Sequence, residues 1–121
     1  PVAEQYGMSL VPYYALASGF LTGKYRSADA TGDSPRAEGA AKLATPAGLK
    51  LIDALEEVGD AHGSSIAATA LAWLRLQPTV AAPIASASKV EQVADLLASA
   101  SLELTSDELA HLSAASEPAQ G

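Results

Sequence analysis

Two short apolar segments lack the alternation of polar and apolar residues that marks a half-exposed strand. They are residues 9–14 (SLVPYY) and 79–86 (TVAAPIAS). A strand that is apolar on both faces is typical of a parallel sheet covered by helices on both sides. Helical patterns lie between and after the two segments, which predicts parallel βα units. The sequence therefore predicts an α/β fold, although two strands alone do not make a stable open parallel sheet.

Two helices between these segments are predicted from their caps. Thr45 and Pro46 stand at the cap and first position of a helix that Gly63 stops. Ser64 is predicted to cap the next helix, over about 65–76. That helix is apolar almost all round, which predicts burial on more than one side. The inward face of the first helix is predicted to carry Leu49, Ile52, Leu55 and Val58.

Two more helices are predicted after the second segment. Ser88 is expected to cap the helix KVEQVADLLASA, and TSDE at 105–108 is a capping box that opens a helix to about 115. Residues 26–44 are polar, small and glycine-rich, which predicts a long loop of functional or mobile character. The inward residues of these two helices are expected to be Val90, Val93, Leu96 and Leu97, then Leu109 and Leu112.

The first seven residues have the pattern of a helix end. Tyr6 fits the last turn and Gly7 fits the residue that stops the helix. Met8 directly precedes the first apolar segment, which is a poor place for a protein to begin. We therefore expect the 121 residues to be a piece of a longer chain.

Composition narrows the function classes. The net charge of −7 disfavours binding to nucleic acid, because an acidic surface repels phosphate backbones. The chain has no cysteine, so it has no disulfides and no thiolate metal site. It shows no apolar run near the roughly 18 residues of a membrane span and no signal peptide. These features favour a cytoplasmic protein with no membrane or nucleic-acid partner.

The segments that follow the two predicted strands carry anion-binding residue types. Ligands of parallel βα folds gather at the C-terminal ends of strands. After the first strand, glycines allow close approach to a ligand, and Ser18, Thr22 and Lys24 add donors and a positive charge. After the second, Ser88 begins a helix whose N–H groups and dipole favour phosphate, and Lys89 adds charge.

Two such loops side by side predict a ligand with two phosphate groups. A dinucleotide with an additional ribose phosphate would suit them. The residues leave an alternative open, in which the glycines only form turns and Ser88 is a plain helix cap.

Three stretches resemble the aldo-keto reductase family. PYYALASGFLTGKYR (12–26) resembles the family's strand-7 loop, and ATALAWLRLQPTVAAPI (68–84) resembles the helix before strand 8. APIASASKVEQVADLLASASLELTSDELAHL (82–112) resembles strand 8 and its following helices. The resemblance implies the C-terminal part of a (β/α)8 barrel over residues 1–121, with a long cofactor-covering loop at 17–45. It also implies reduction of aldehydes or ketones with NADPH.

The resemblance implies cofactor contacts in both loops. Near nicotinamide and pyrophosphate it places Tyr14, Ala15 and Leu16. Around the pyrophosphate it places Ser18, Gly19, Thr22 and Lys24. At the adenosine 2′-phosphate it places Ser86, Ser88 and Lys89. Near ribose and adenine it places Gln92 and Asp95.

Three positions depart from the family pattern. Ala15 stands where a proline or serine is common, and Lys89 stands where arginine is frequent. Lysine lacks the flat fork with which arginine grips phosphate and stacks on adenine. Leu96 stands where an asparagine often contacts the adenine, and a leucine side chain cannot make that polar contact.

The resemblance assigns no catalytic residue to this chain. The family's aspartate, tyrosine, lysine and histidine come from strands that precede these segments, so the chain by itself is expected to be inactive. His62 and His111 have no partner at metal-ligand spacing, which predicts no metal site. Two alternatives stay open: a non-catalytic nucleotide-binding or regulatory relative, and a fragment that self-associates through unpaired barrel edges.

Overall fold

The computed structural model of the chain is built almost entirely from helices. It describes residues 2–13, 15–23, 37–87 and 89–120. None of the helices in these ranges is long and apolar enough to cross a bilayer. In chain order the helices are α1 (Val2–Gln5), a 3₁₀ helix (Ala17–Thr22), α2 (Ala37–Ala41), α3 (Pro46–His62), α4 (Ile66–Arg75), α5 (Val90–Ser101) and α6 (Ser106–Gln120).

The caps of α3 confirm the sequence prediction at both ends. The Thr45 hydroxyl accepts a hydrogen bond from the Gly48 N–H at 3.1 Å, and Pro46 is the first helical residue. Gly63 ends the helix in the left-handed conformation, with φ of 64°. The Ser64 N–H bonds the Gly59 carbonyl at 2.8 Å, which satisfies one of the last carbonyls of α3.

The cap of α4 lies one residue later than predicted. The Ser65 hydroxyl, and not that of Ser64, accepts the Ala68 N–H at 3.1 Å. The reason is that Ser64 still belongs to the turn that closes α3, while Ser65 has the extended backbone of an N-cap.

The two helices after the second segment begin differently. The predicted capping box of α6 is confirmed, since Thr105 and Glu108 exchange side-chain to backbone hydrogen bonds of 2.8 and 3.2 Å. Helix α5 has Lys89 and not Ser88 at its N-cap, and the Lys89 N–H donates to Oε1 of Gln92 at 3.2 Å. Helix α6 continues to Gln120 and does not end near residue 115.

The predicted strands 9–14 and 79–86 do not form as regular strands in the described residues. Their pairing is a single parallel bridge between Leu10 and Val80. The bonds around it are Leu10 N–H to Thr79 O at 2.7 Å and Ala81 N–H to Leu10 O at 2.9 Å. The parallel direction was therefore predicted correctly, but the extent was not. Each segment contains a proline, which has no N–H for a ladder.

The core lies between α3, α4 and α6. Ile52 and Leu55 of α3 and Leu112 of α6 are almost fully buried, as the spacing predicted, while Leu49 is only half-buried. Phe20 extends from the 3₁₀ helix into the same cluster. Helices α3 and α6 therefore form a pair that α4 and the 3₁₀ helix complete.

The predicted inward face of α5 is wrong. Val90 is 84% exposed, Val93 43% and Leu97 69%. Ser99 is the buried residue of this helix, and Leu96 is half-buried. The reason is that α5 packs on α4, while the paired segments form one bridge and offer no sheet face for the apolar side of α5 to cover.

The predicted loop at 26–44 contains a short helix, α2, within its described part. Residues 24–36 lie outside the described residues. The chain just before α3 packs closely against the first turns of this helix. A Cβ added at Gly48 would overlap the Leu43 carbonyl oxygen and lie 3.1 Å from Phe20 Cζ. The 17–45 segment is thus anchored at both ends by helical turns that pack on the core.

Candidate functional site

The two segments 9–14 and 79–86 run parallel to each other, so the residues that follow them start at the same end of the pairing. The last backbone bond between them joins the Ile84 N–H to the Pro12 carbonyl at 2.8 Å. Because both segments run in the same direction, residues 15–23 and the first turn of α5 follow from one end of the pairing. This end corresponds to the edge at which parallel βα folds bind their ligands.

The first loop, residues 15–23, packs on the core through apolar side chains. Ala15 is buried, Leu16 is half-buried against the core cluster, and Phe20 is inside it. The Gly23 N–H bonds the Phe20 carbonyl at 3.1 Å, with Gly23 at a φ of 80°. The side chain of Ala15 is therefore turned inward, so this residue can offer a ligand only its backbone.

The second loop leads into the first turn of α5. Ser86 and Lys89 are exposed, and Lys89 is the N-cap of the helix. The first N–H groups of a helix lack partners within it, and they carry the positive end of its dipole. An exposed cationic residue therefore stands at the N-cap, next to backbone donors, which is an arrangement suited to a phosphate.

Two nearby side chains modify this end of α5. The carboxamide oxygen of Gln92 is used in the cap of the helix. Glu91 lies in the first turn, where its carboxylate interacts favourably with the helix dipole but repels an approaching anion. A bound phosphate would therefore rely on Lys89 and the backbone more than on Gln92.

A protein-family model described as Aldo/keto reductase family matches residues 1–117. The chain belongs to this family. Aldo/keto reductases fold as (β/α)8 barrels, so the parallel pairing of the two segments agrees with the family architecture.

Curated relatives have diverse names. A probable voltage-gated potassium channel subunit beta of Oryza sativa is 33% identical over 100 residues, which cover 78% of this chain and 30% of the relative. A putative aryl-alcohol dehydrogenase of Schizosaccharomyces pombe is 33% identical over 116 residues, covering 93% and 34%. The L-glyceraldehyde 3-phosphate reductase of Escherichia coli O157:H7 is 30% identical over 113 residues, covering 88% and 33%. The chain spans about a third of the length of these relatives.

The structure describes only part of the predicted cofactor set of this aldo/keto reductase chain. Thr22, Gln92 and Asp95 are half-buried, and Gln92 and Asp95 lie three residues apart on one face of α5. The cofactor assignments of the whole set stay predictions, and five of its positions lie outside the described residues or side chains. They are Tyr14, Ser18, Gly19, Lys24 and Ser88.

Arg75 makes contacts that the sequence did not predict. Its Nη2 donates to the Leu102 carbonyl at 2.8 Å and its Nε to the Ser99 carbonyl at 3.3 Å. These carbonyls belong to the last turn and the C-cap of α5. Arginine is a residue type that can satisfy the last carbonyls of a helix. The sequence pattern does not indicate that an arginine of α4 would do so for α5.

Both histidines of the chain contact carboxylates across the α3–α6 pair. His62 Nε2 lies 2.8 Å from Glu108 Oε1, and His111 Nε2 lies 3.6 Å from Glu57 Oε2. Within the described ranges, no group of three or more histidine, aspartate and glutamate side chains could hold a metal ion. The contacts join the C-terminal half of α3 to the N-terminal half of α6.

The pKa of Glu108 is lowered from its usual 4.5, first by the Thr105 backbone N–H and then by the hydrogen bond to His62. Because the pKa of Glu108 is lower in the folded chain than in the unfolded chain, the ionised carboxylate stabilises the fold at pH values above the unfolded-state pKa. This stabilisation is lost as the pH falls through the folded-state pKa.

We therefore expect the melting temperature of the wild-type chain to exceed that of Glu108→Gln at pH 7, and the two to converge below pH 4.5. Circular dichroism melts at several pH values measure this. Parallel curves across the acidic range would show that Glu108 carries no such contribution.

Proposed function

We propose that this chain is the nucleotide-binding part of an NADP(H)-dependent aldo/keto reductase that reduces aldehydes or ketones to alcohols. The observation that carries the proposal is the parallel pairing of the two segments. Because of this pairing, the 15–23 loop and the first turn of α5 follow from the same edge, and Lys89 stands at the N-terminus of α5.

In this proposal the two segments are strands 7 and 8 of the barrel. The first loop holds the pyrophosphate, and the 17–45 segment covers it. Ser86, Ser88 and Lys89 hold the adenosine 2′-phosphate, while Asp95 lies further along α5 toward the ribose and adenine. The bound nicotinamide would supply the hydride. The residues of this chain would bind the cofactor and orient it.

The names of two relatives support an oxidoreductase acting on a small carbonyl or alcohol. One is named an aryl-alcohol dehydrogenase and the other an L-glyceraldehyde 3-phosphate reductase. These names differ in substrate, so they support the reaction class and not one substrate. No residue of this chain is assigned a proton-transfer role, and we expect the 121-residue chain alone to show little turnover.

A second candidate function is favoured by one specific relative. The rice protein that matches this chain is named a potassium channel subunit beta. A regulatory protein of this family would bind the nucleotide through the same two loops. It would differ in the fate of the bound cofactor, which would stay reduced in the presence of a carbonyl compound.

The test is a titration of the purified 121-residue chain with NADPH and, separately, NADH, followed by nucleotide fluorescence. We expect NADPH to bind more tightly than NADH, and the preference to weaken with salt, because it comes from the 2′-phosphate. Equal affinity would contradict NADP(H) selectivity. Absence of binding to either nucleotide would contradict a cofactor-binding role for this chain.

A further inference from the structure

Helix α5 is attached to the described structure mainly through its C-terminal end. Ser99 is the buried residue of the helix, and it lies in the last turn. Val90 and Val93, in the first turn of the helix, are exposed at 84% and 43%, so this turn contributes little packing. The orientation of the first turn therefore depends on contacts made near the other end.

Arg75 makes the polar contacts at that end. Its guanidinium donates to the Leu102 and Ser99 carbonyls at 2.8 and 3.3 Å. Its side chain is 28% exposed, and Glu103 Oε1 lies 3.8 Å from Nη2 at an exposed position. Two directional bonds from one planar group fix both the position and the tilt of the acceptor segment.

The contact also has a favourable charge arrangement. The last carbonyls of a helix carry the negative end of its dipole and lack partners within the helix. A guanidinium from α4 satisfies two acceptors here, since Ser99 and Leu102 lie at the end of α5. Removing it would leave these acceptors to water and take away the two hydrogen bonds that tie α4 to the end of α5.

The length of α5 amplifies a change at this end. Lys89 and Ser99 are ten positions apart, which corresponds to about 15 Å along a helix. A small tilt at Ser99 therefore moves the first turn of α5 by ångströms. The exposed ammonium of Lys89 would then move relative to the first loop.

We infer that Arg75 is a positioning residue for nucleotide binding. It clamps the C-terminal end of α5 to α4 and thereby sets where Lys89 and the first-turn N–H groups meet a 2′-phosphate. This inference rests on the proposed function. Arg75 itself touches no ligand, since its guanidinium is bonded at the opposite end of the helix.

The first measurement is hydrogen–deuterium exchange of the chain without nucleotide. In Arg75→Met, we expect amides of α5 to exchange about tenfold faster, while α3 and α6 keep their protection. Lys50→Met removes an exposed cation from α3 and is the matched control. Unchanged α5 exchange, or equal loss of protection in every helix, would overturn the inference.

The second measurement is nucleotide titration of the same variants. In Arg75→Met, the NADPH Kd is expected to rise about tenfold, because the phosphate loses a charge-assisted contact, while the NADH Kd changes by less than about twofold. Arg75→Lys, which keeps the charge but not the fork, is expected to restore part of the NADPH affinity. Wild-type affinity in Arg75→Met, despite a loosened α5, would overturn the positioning role.

The two failures are distinguishable. If the wild-type chain binds neither nucleotide, the proposed function fails for this chain and the role of Arg75 toward the nucleotide fails with it. Exchange in α5 then still shows whether Arg75 clamps the helix. If the wild type binds NADPH and Arg75→Met binds it equally well, only the positioning role is overturned.

Discussion

Replacing Leu112 with alanine is expected to lower the free energy of unfolding by about 2–5 kcal/mol. Leu112 has no exposed surface and lies in the cluster that joins α6 to α3 and α4. The substitution removes buried methyl groups and leaves a cavity that the flanking helices fill only in part. Urea unfolding followed by circular dichroism measures the loss.

The matched control is the same substitution at Leu97, which is 69% exposed on α5. It is expected to change the free energy of unfolding by less than about 0.5 kcal/mol, because little apolar surface is uncovered. A loss as large as that of Leu112→Ala would contradict the exposed position of Leu97. Self-association that covers α5 would produce this outcome, and it would make the loss depend on protein concentration.

The helices could be predicted from the sequence because their signals are local. The Thr45 hydroxyl reaches a backbone N–H three residues away, and Thr105 and Glu108 pair over the same distance. Gly63 stops α3 because it adopts a positive φ that other residues resist. None of these features needs a distant part of the chain.

The strands and the inward face of α5 were predicted less well because both depend on neighbours. An apolar run shows that a segment suits a covered sheet, but not how many backbone bonds it makes. Pro12 and Pro83 could have warned that the ladder would be interrupted. Likewise, the spacing of Val90, Val93 and Leu97 defines an apolar stripe without saying which element covers it.

The sequence predicted that the two loops would follow from one edge, while the contacts at the far end of α5 were not predicted. The two loops could be placed together because parallel segments end at one edge, and the bond from Ile84 to Pro12 has this direction. Arg75 lies 24 positions before Ser99 in the chain. A contact over that separation follows from how α4 packs on α5, and no local pattern specifies it.

Replacing Lys89 with alanine is expected to raise the NADPH Kd by about 10- to 100-fold, which corresponds to about 1.5–3 kcal/mol for one hydrogen bond to a charged group. The NADH Kd is expected to stay within about twofold, because NADH lacks the 2′-phosphate. The cap of α5 should survive, since it uses the Lys89 backbone N–H and not the ammonium. Nucleotide fluorescence titration measures both constants.

Two further variants define what this loss means. Lys89→Arg is expected to keep or improve NADPH affinity, because a guanidinium can grip phosphate with two bonds. Lys50→Ala removes a cation from an exposed position on α3 and should leave both affinities unchanged. An equal loss for NADPH and NADH in Lys89→Ala would place Lys89 at a group common to both nucleotides. The selectivity for the 2′-phosphate would then have to come from another residue of the second loop.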